Sequence, residues 1–208
     1  MGRYRGPKCK MCRQEKVKLF LKGRRCLAKC MLERRAYPPG EHGQKPKKPS
    51  GYSIHLREKQ KLRRIYGMME RQFRNYFIRA RKEEGVTGEN LIRLLERRLD
   101  NIMYRLGFVP TRAEGRQIVT HGHVLVNDKK VDIPSYQIKV GDVIRISNGS
   151  SRLIEKIKEC VSLSKERGFA SWLEIDETNL AGIVKSFPTK EEVGLPIQDQ
   201  LIVEFYSR

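Results

Sequence analysis

Thr111-Arg112-Ala113-Glu114-Gly115-Arg116-Gln117-Ile118-Val119-Thr120-His121-Gly122-His123-Val124-Leu125-Val126-Asn127-Asp128 is the stretch on which the fold turns. Thr and Glu three residues apart form a capping box, a helix-start signal. The helix this predicts runs to Thr120 or His121, and Gly122 ends it. Beyond it the pattern becomes that of strands. Val124-Leu125-Val126 is short and apolar, Asn127-Asp128 is a turn, and Lys129-Lys130-Val131 returns. Val140-Gly141-Asp142 is another turn, leading into Val143-Ile144-Arg145-Ile146. Upstream, Leu91, Leu94, Leu95, Leu99, Ile102, Met103 and Leu106 repeat at helical spacing, which predicts one helix from Leu91 to Leu106, stopped by Gly107. Residues 97–146 therefore read as two helices followed by a small antiparallel sheet. Downstream, residues 151–165 read as a further helix, with Cys160 as a small buried residue. Leu201-Ile202-Val203-Glu204-Phe205-Tyr206 reads as strand-like.

Working back toward the N-terminus, the sequence becomes more basic. The chain of 208 residues carries 44 Lys+Arg against 24 Asp+Glu, a net charge of +20. Residues 1–50 hold 16 basic and 3 acidic residues, and residues 51–100 hold 13 and 7, whereas residues 151–208 hold 8 and 10. A surplus this concentrated reads as a contact surface for a polyanion. Gln44–Ser50 reads as a disordered basic tail-like stretch. Leu56–Tyr66 has apolar Leu62, Ile65 and Tyr66 beside Arg57, Lys59, Lys61, Arg63 and Arg64, so it predicts a helix with one buried stripe and one very basic face. After a break at Gly67, Phe73, Tyr76, Phe77 and Ala80 recur at i, i+3, i+4 and i+7. This spacing reads as core rather than as a base-stacking platform, which leaves the surrounding Arg71, Arg74, Arg79, Arg81 and Lys82 for phosphates. No apolar run approaches the ~18 residues that a membrane span needs. The start lacks the apolar stretch of a signal peptide, so a cytoplasmic protein is expected.

Cys9, Cys12, Cys26 and Cys30 read C-x2-C-x13-C-x3-C. Two close pairs across a short loop can bring four sulfurs to one tetrahedral ion, and the setting is not a secretory one that would favour disulfides. The loop has too little apolar surface to fold alone, so a structural zinc is expected to staple it. An iron–sulfur cluster, which also takes four thiolates, is the competing reading. Four cysteines leave no open position for catalysis. Lys8, Lys10, Lys22, Arg24, Arg25 and Lys29 are expected to favour the thiolates.

Arg98-Leu99-Asp100-Asn101, Thr111-Arg112-Ala113-Glu114, Gly122-His123-Val124, Val126-Asn127, Val131-Asp132-Ile133-Pro134-Ser135-Tyr136 and Gly141-Asp142 resemble the small RNA-binding module named after the fourth ribosomal protein. That module also occurs in pseudouridine synthases and tyrosyl-tRNA synthetases. The flanks narrow the choice. Met1-Gly2-Arg3-Tyr4-Arg5-Gly6-Pro7, Glu33-Arg34-Arg35, Pro38-Pro39-Gly40, His42-Gly43-Gln44, Leu56–Arg63, Tyr66-Gly67, Arg71-Gln72-Phe73, Trp172-Leu173 and Glu204-Phe205-Tyr206-Ser207-Arg208 resemble the family of the fourth protein of the bacterial small (30S) ribosomal subunit, in its four-cysteine, metal-bearing variant. The resemblance covers nearly the whole chain. Two positions depart from the pattern: Gly115 stands inside a helix, and Asn127-Asp128 stands where the family commonly has Asn-Gly.

The resemblance implies an α+β fold: a zinc-stapled knob over residues 1–45, a helical domain over 46–96 joined by part of the C-terminal tail, the module over 97–160 with helices packed on an antiparallel sheet, and a C-terminal extension over 161–208. It implies a structural, non-enzymatic component of the small subunit that binds a multi-helix junction in the 5′ domain of 16S ribosomal RNA early in assembly. Its further implied partners are the fifth small-subunit protein, at an interface linked to decoding accuracy, and messenger RNA near its path into the ribosome. The expected RNA contacts are Arg3, Arg5, Lys8 and Lys10 near the cysteines, then Lys47 and Lys48. On the helices they are Arg57, Lys59, Lys61, Arg63, Arg64, Arg71 and Arg74. On the module they are Arg112, Arg116, His121, His123 and Lys129. An RNA-modifying or RNA-charging enzyme would need a catalytic domain, for which the chain has no room. A DNA-reading zinc finger would need repeats or a dimerising heptad.

Overall fold

A computed structural model of the chain describes residues 2, 4–45, 48–147, 151–165 and 168–207. The chain divides into two compact units, Met1–Leu91 with Pro196–Arg208, and Ile92–Leu195. No helix among the described residues is long and apolar enough to cross a membrane.

The first unit opens with α1 (Lys8–Glu15), α2 (Arg25–Ala28) and α3 (Met31–Arg34), then a 3-10 turn over Glu41–Gln44. The longer helices α4 (Gly51–Ile65) and α5 (Glu70–Lys82) follow. Ser50 caps α4, its hydroxyl accepting the Ser53 N–H at 3.2 Å, which satisfies one of the free donors of the first turn. Leu62, Ile65 and Tyr66 face inward, as do Phe73, Tyr76, Phe77 and Ala80. The aromatic stripe of α5 is core, as its spacing predicts. The division between the units falls inside α6 (Thr87–Glu96).

The second unit holds α7 (Leu99–Arg105), α8 (Arg112–Thr120), β1 (Val124–Val126), β2 (Lys129–Lys130), β3 (Val143–Ile146), α9 (Ser151–Lys165), β4 (Leu173–Asp176), β5 (Ala181–Val184) and α10 (Lys190–Val193). The strands form one antiparallel sheet in the order β2-β1-β3-β5-β4. Leu99, Ile102, Met103 and Leu106 of α7, Ile118 and Val119 of α8, and Ile157 and Val161 of α9 pack with Val124, Val126, Ile144, Ile146 and Trp172 into its core. The α+β class of the sequence reading holds, and Cys160 is buried as expected.

Three details correct the sequence reading. The single helix expected over Leu91–Leu106 is two helices, α6 and α7. Arg98 between them takes extended backbone (ψ 134) and bridges to Gln137, while its side chain grips Asp100. An apolar period continues across this break because both helices face one core. The C-terminal run expected as a strand is α11 (Asp199–Ser207). A largely apolar run of six residues cannot by itself distinguish strand from helix. Here helical spacing lets Tyr206 stack on Phe77 at 4.6 Å while Phe205 meets Tyr52 at 5.7 Å. Finally, the expected C-terminal extension is divided: β4 and β5 complete the sheet of the second unit, and α11 belongs with the first.

Both departures from the family pattern have a structural reason. A Cβ on Gly115 would lie 2.6 Å from the Asp100 carbonyl oxygen, so α8 approaches α7 too closely for any side chain. Asn127 (φ 49) and Asp128 (φ 61) both take left-handed backbone, as the tight hairpin turn requires, and these residue types tolerate it well. Thr111 caps α8 by accepting the Glu114 N–H at 3.2 Å. The Glu114 carboxylate pairs with Lys156.

Candidate nucleic-acid interface

The basic residues fall into three groups according to what holds them. On α4, most are held by acids of the same unit. Lys59 is only 4% exposed; its ammonium meets Glu70 at 2.8 Å and lies over the Phe205 ring at 4.8 Å. Lys61 is buried between Glu58 and the Pro196 carbonyl. Arg57 and Arg64 converge on Glu15 of α1, and Arg64 also donates to Gln14 at 3.0 Å. Arg63 donates to Gln60 at 2.8 Å and lies 3.6 Å from Glu70. The sequence reading placed these five cations on a phosphate-facing surface. The structure gives each of them an internal partner.

The two carboxylates at the centre of this network titrate in opposite directions. Burial pushes Glu15 above the ordinary carboxylate range, against the attraction of Arg64, Arg57 and Lys61. Burial acts on Glu70 in the same sense, but hydrogen bonds from Lys59 and Tyr206, with the charges of Lys59 and Arg63, outweigh it and hold Glu70 below its usual value. Tyr206 is correspondingly pushed up, by burial first and by its bond to Glu70.

The module repeats the α4 arrangement in a drier setting. Asp100, 2% exposed, accepts from Arg98 at 3.0 and 2.8 Å and from Arg116 at 3.0 and 2.9 Å. Arg112 donates to Asn101 at 2.7 Å and stacks on Tyr104 at 4.4 Å. Arg112 and Arg116, both expected at RNA, thus also tie α8 to α7. His121 is exposed and His123 partly so, their rings 6.2 Å apart, and Lys129 is exposed on the hairpin.

The third group is open to solvent. On α5, Arg71, Arg74, Arg79, Arg81 and Lys82 are exposed and make no ion pair among the described residues. All five lie off the buried stripe of Phe73, Tyr76, Phe77 and Ala80. Arg79, Arg81 and Lys82, which surround the aromatic stripe in the sequence, belong with Arg71 and Arg74. Arg5, Lys10 and Lys48 are exposed, and Lys8 reaches the Leu21 carbonyl at 3.4 Å. Arg3 and Lys47 lie outside the described residues.

The four N-terminal cysteines are free thiols, Cys12 and Cys30 buried, Cys9 and Cys26 partly exposed. Burial raises the Cys12 thiol. A hydrogen bond from the Leu19 backbone opposes this, and Cys26, Cys9 and Cys30 raise it further. The cations expected to favour thiolates do not prevail at Cys12. The Lys22 N–H donates to the Cys26 sulfur at 3.3 Å. Among the described residues, no three Cys, His, Asp or Glu side chains are gathered as a metal ion would hold them.

A module with two helices set on an antiparallel hairpin sheet, preceded by a highly basic helical unit, defines the class: an S4-domain protein. Residues 97–144 match the S4 domain family, and residues 3–96 match the family described as the ribosomal protein S4/S9 N-terminal domain. The chain is 55% identical to the small ribosomal subunit protein uS4 of Thermodesulfovibrio yellowstonii, 56% to that of Pelobacter propionicus and 54% to that of Geotalea daltonii, covering the full length of both chains in each case. It belongs to the uS4 family of small ribosomal subunit proteins.

Proposed function

We propose that the chain is a structural component of the small ribosomal subunit, working in the cytoplasm, that binds the 5′ domain of 16S ribosomal RNA at a multi-helix junction and nucleates assembly of the subunit body. The observation that carries this reading is the match to uS4 proteins from end to end, through both family domains in order. The uS4 family is structural, not enzymatic. Exposed lysines and arginines neutralise phosphates and release counterions, which gives affinity with a steep salt dependence. Discrimination comes from shape, because A-form helices present phosphates and 2′-hydroxyls rather than a readable major groove. The α5 face, Arg5, Lys10, Lys48, Lys129 and the two module histidines are among the groups placed to do this. The resemblance to the family supports two further partners, the fifth small-subunit protein, with which it would influence accuracy, and messenger RNA near its path into the ribosome.

Cys9, Cys12, Cys26 and Cys30 would hold a structural zinc ion. What supports this is the donor chemistry and spacing, two close pairs of free thiols across a short loop, with Cys12 and Cys30 buried and the Lys22 N–H at the Cys26 sulfur, although the described side chains are not gathered as a bound ion would hold them. A bound divalent cation supplies the charge that keeps thiolates deprotonated and cross-links the knob. An iron–sulfur cluster would make the protein coloured, whereas zinc would not.

The test is binding to a 16S 5′-domain transcript across a salt series, with excess duplex DNA as competitor. Tight, competitor-resistant binding with a steep salt slope is expected; equal competition by duplex DNA would overturn the reading. Metal analysis of the purified protein, expected to give one zinc per chain, checks the knob separately.

A further inference from the structure

The turn between the cysteine pairs places a phenylalanine where neither its backbone nor its ring gains from the fold. Phe20 has φ +50°, in the left-handed region that bulky residues rarely take. Its side chain is nonetheless turned out to solvent, at 42% exposed. The backbone has a reason to reverse here. Leu19 points inward, 2% exposed, and two residues beyond Phe20 the Lys22 N–H reaches the Cys26 sulfur at 3.3 Å. A left-handed residue between these anchors makes the reversal, and glycine or asparagine would make it without strain. The phenyl ring contributes nothing visible in return. Among the described residues it stacks on no ring and carries no cation.

Its surroundings indicate what the ring is for. From Lys16 to Leu32 the chain has Lys16, Lys18, Lys22, Arg24, Arg25 and Lys29 and no acidic residue. Lys22, Arg24, Arg25 and Lys29 are exposed. An apolar protein partner would bury such a ring in a patch depleted of charge. A nucleic acid duplex would meet the cations but offer the ring no free base face. An unpaired nucleotide offers both, a phosphate for the cations and a π face for the ring.

We infer that Phe20 is a stacking platform for an unpaired base of the ribosomal RNA, held outward by the buried Leu19 before it and the Lys22 N–H to sulfur bond after it. The inference rests on the RNA-binding reading above and adds to it a residue, a type of contact and a class of nucleotide.

The experiment uses the full-length protein with Phe20→Gly, Phe20→Leu and Phe20→Tyr, each titrated with the 16S 5′-domain transcript across a salt series and each unfolded thermally without RNA. Phe20→Gly and Phe20→Leu are expected to weaken binding by about tenfold to a hundredfold, the range for losing one stacked base. The salt slope should stay unchanged, because no charge is removed. Phe20→Tyr should keep nearly all the affinity. Phe20→Gly should leave the unfolding midpoint unchanged or higher, since glycine relaxes the turn, so its weaker binding would not reflect misfolding. Phe20→Leu keeps an apolar side chain without a π face. If Phe20→Gly bound like the unaltered protein, or if Phe20→Leu did, the inference would be overturned. If the unaltered protein failed to bind the transcript, the RNA-binding reading itself would fall instead.

Discussion

Helices α4 and α5 are neighbours in sequence and similar in composition, yet they direct their charge in opposite ways. On α4, Lys59, Lys61, Arg57 and Arg64 meet Glu70, Glu58 and Glu15, and little of their charge remains for a ligand. On α5, five cations stand in solvent with no ion pair among the described residues. Apart from Glu58, which lies on α4 itself, what separates the helices is the acids brought to them. Glu15 arrives from α1, 42 positions before Arg57, and Glu70 arrives on the first turn of α5. A basic helix face is thus a reservoir from which the fold draws ion pairs, and only the remainder is available to RNA. The module follows the α4 pattern, with Asp100 holding Arg98 and Arg116.

This comparison can be broken at several points. The largest effect is expected from Asp100→Ala, which leaves two buried guanidinium groups without their carboxylate. Breaking such a pair costs about 3–5 kcal/mol, read as a fall in chemical-denaturation stability. If stability held while RNA affinity fell, Arg98 and Arg116 would be ligand-binding rather than structural groups. Glu15→Ala should cost about 2–3 kcal/mol, less because Arg57 and Arg64 keep partial access to water that screens them. Glu15→Gln should cost less again, since burial already favours the neutral carboxyl.

On the other side of the comparison, the double variant Arg71→Gln with Arg74→Gln should leave stability unchanged. It should weaken transcript binding by about thirtyfold near 0.15 M salt and make the salt slope shallower by about 2, one unit per lost phosphate contact. An unchanged slope would mean that the α5 face meets no phosphate. The smallest effect concerns an exposed carboxylate that belongs to neither helix. Hydrogen bonds from Thr178 and Asn179 hold Asp176 at about 2, below its usual 3.8. A depressed carboxylate contributes stability above its unfolded value, and that stability is lost as pH falls through the folded value. The thermal midpoint of the unaltered protein should therefore drop between pH 4 and pH 2 more than that of Asp176→Asn.

Legibility differed by feature. The α8 helix, the hairpin after it and the aromatic stripe of α5 were readable because each is specified locally, by a cap, a turn or a period. The break between α6 and α7 was not, because both helices present apolar residues to the same core and the interruption serves a bridge to Gln137, far along the chain. The C-terminal helix was not either, because its short apolar run suits strand and helix equally until Phe77 and Tyr52 supply partners at helical spacing. At the candidate interface, the sequence marked nearly every cation of interest but could not sort them, since an ion pair between residues dozens of positions apart leaves no periodic trace.

By itself, then, the sequence determined the α+β class, the cysteine pairs, the place of the module and the sign and location of the charge. These depend on residue type and short-range spacing. Only the tertiary structure decided which arginines and lysines are internal struts and which face outward, why Gly115 must lack a side chain, and that Phe20 is held out in solvent. Each of these depends on which distant atom arrives beside the residue, and that is set by packing rather than by local pattern.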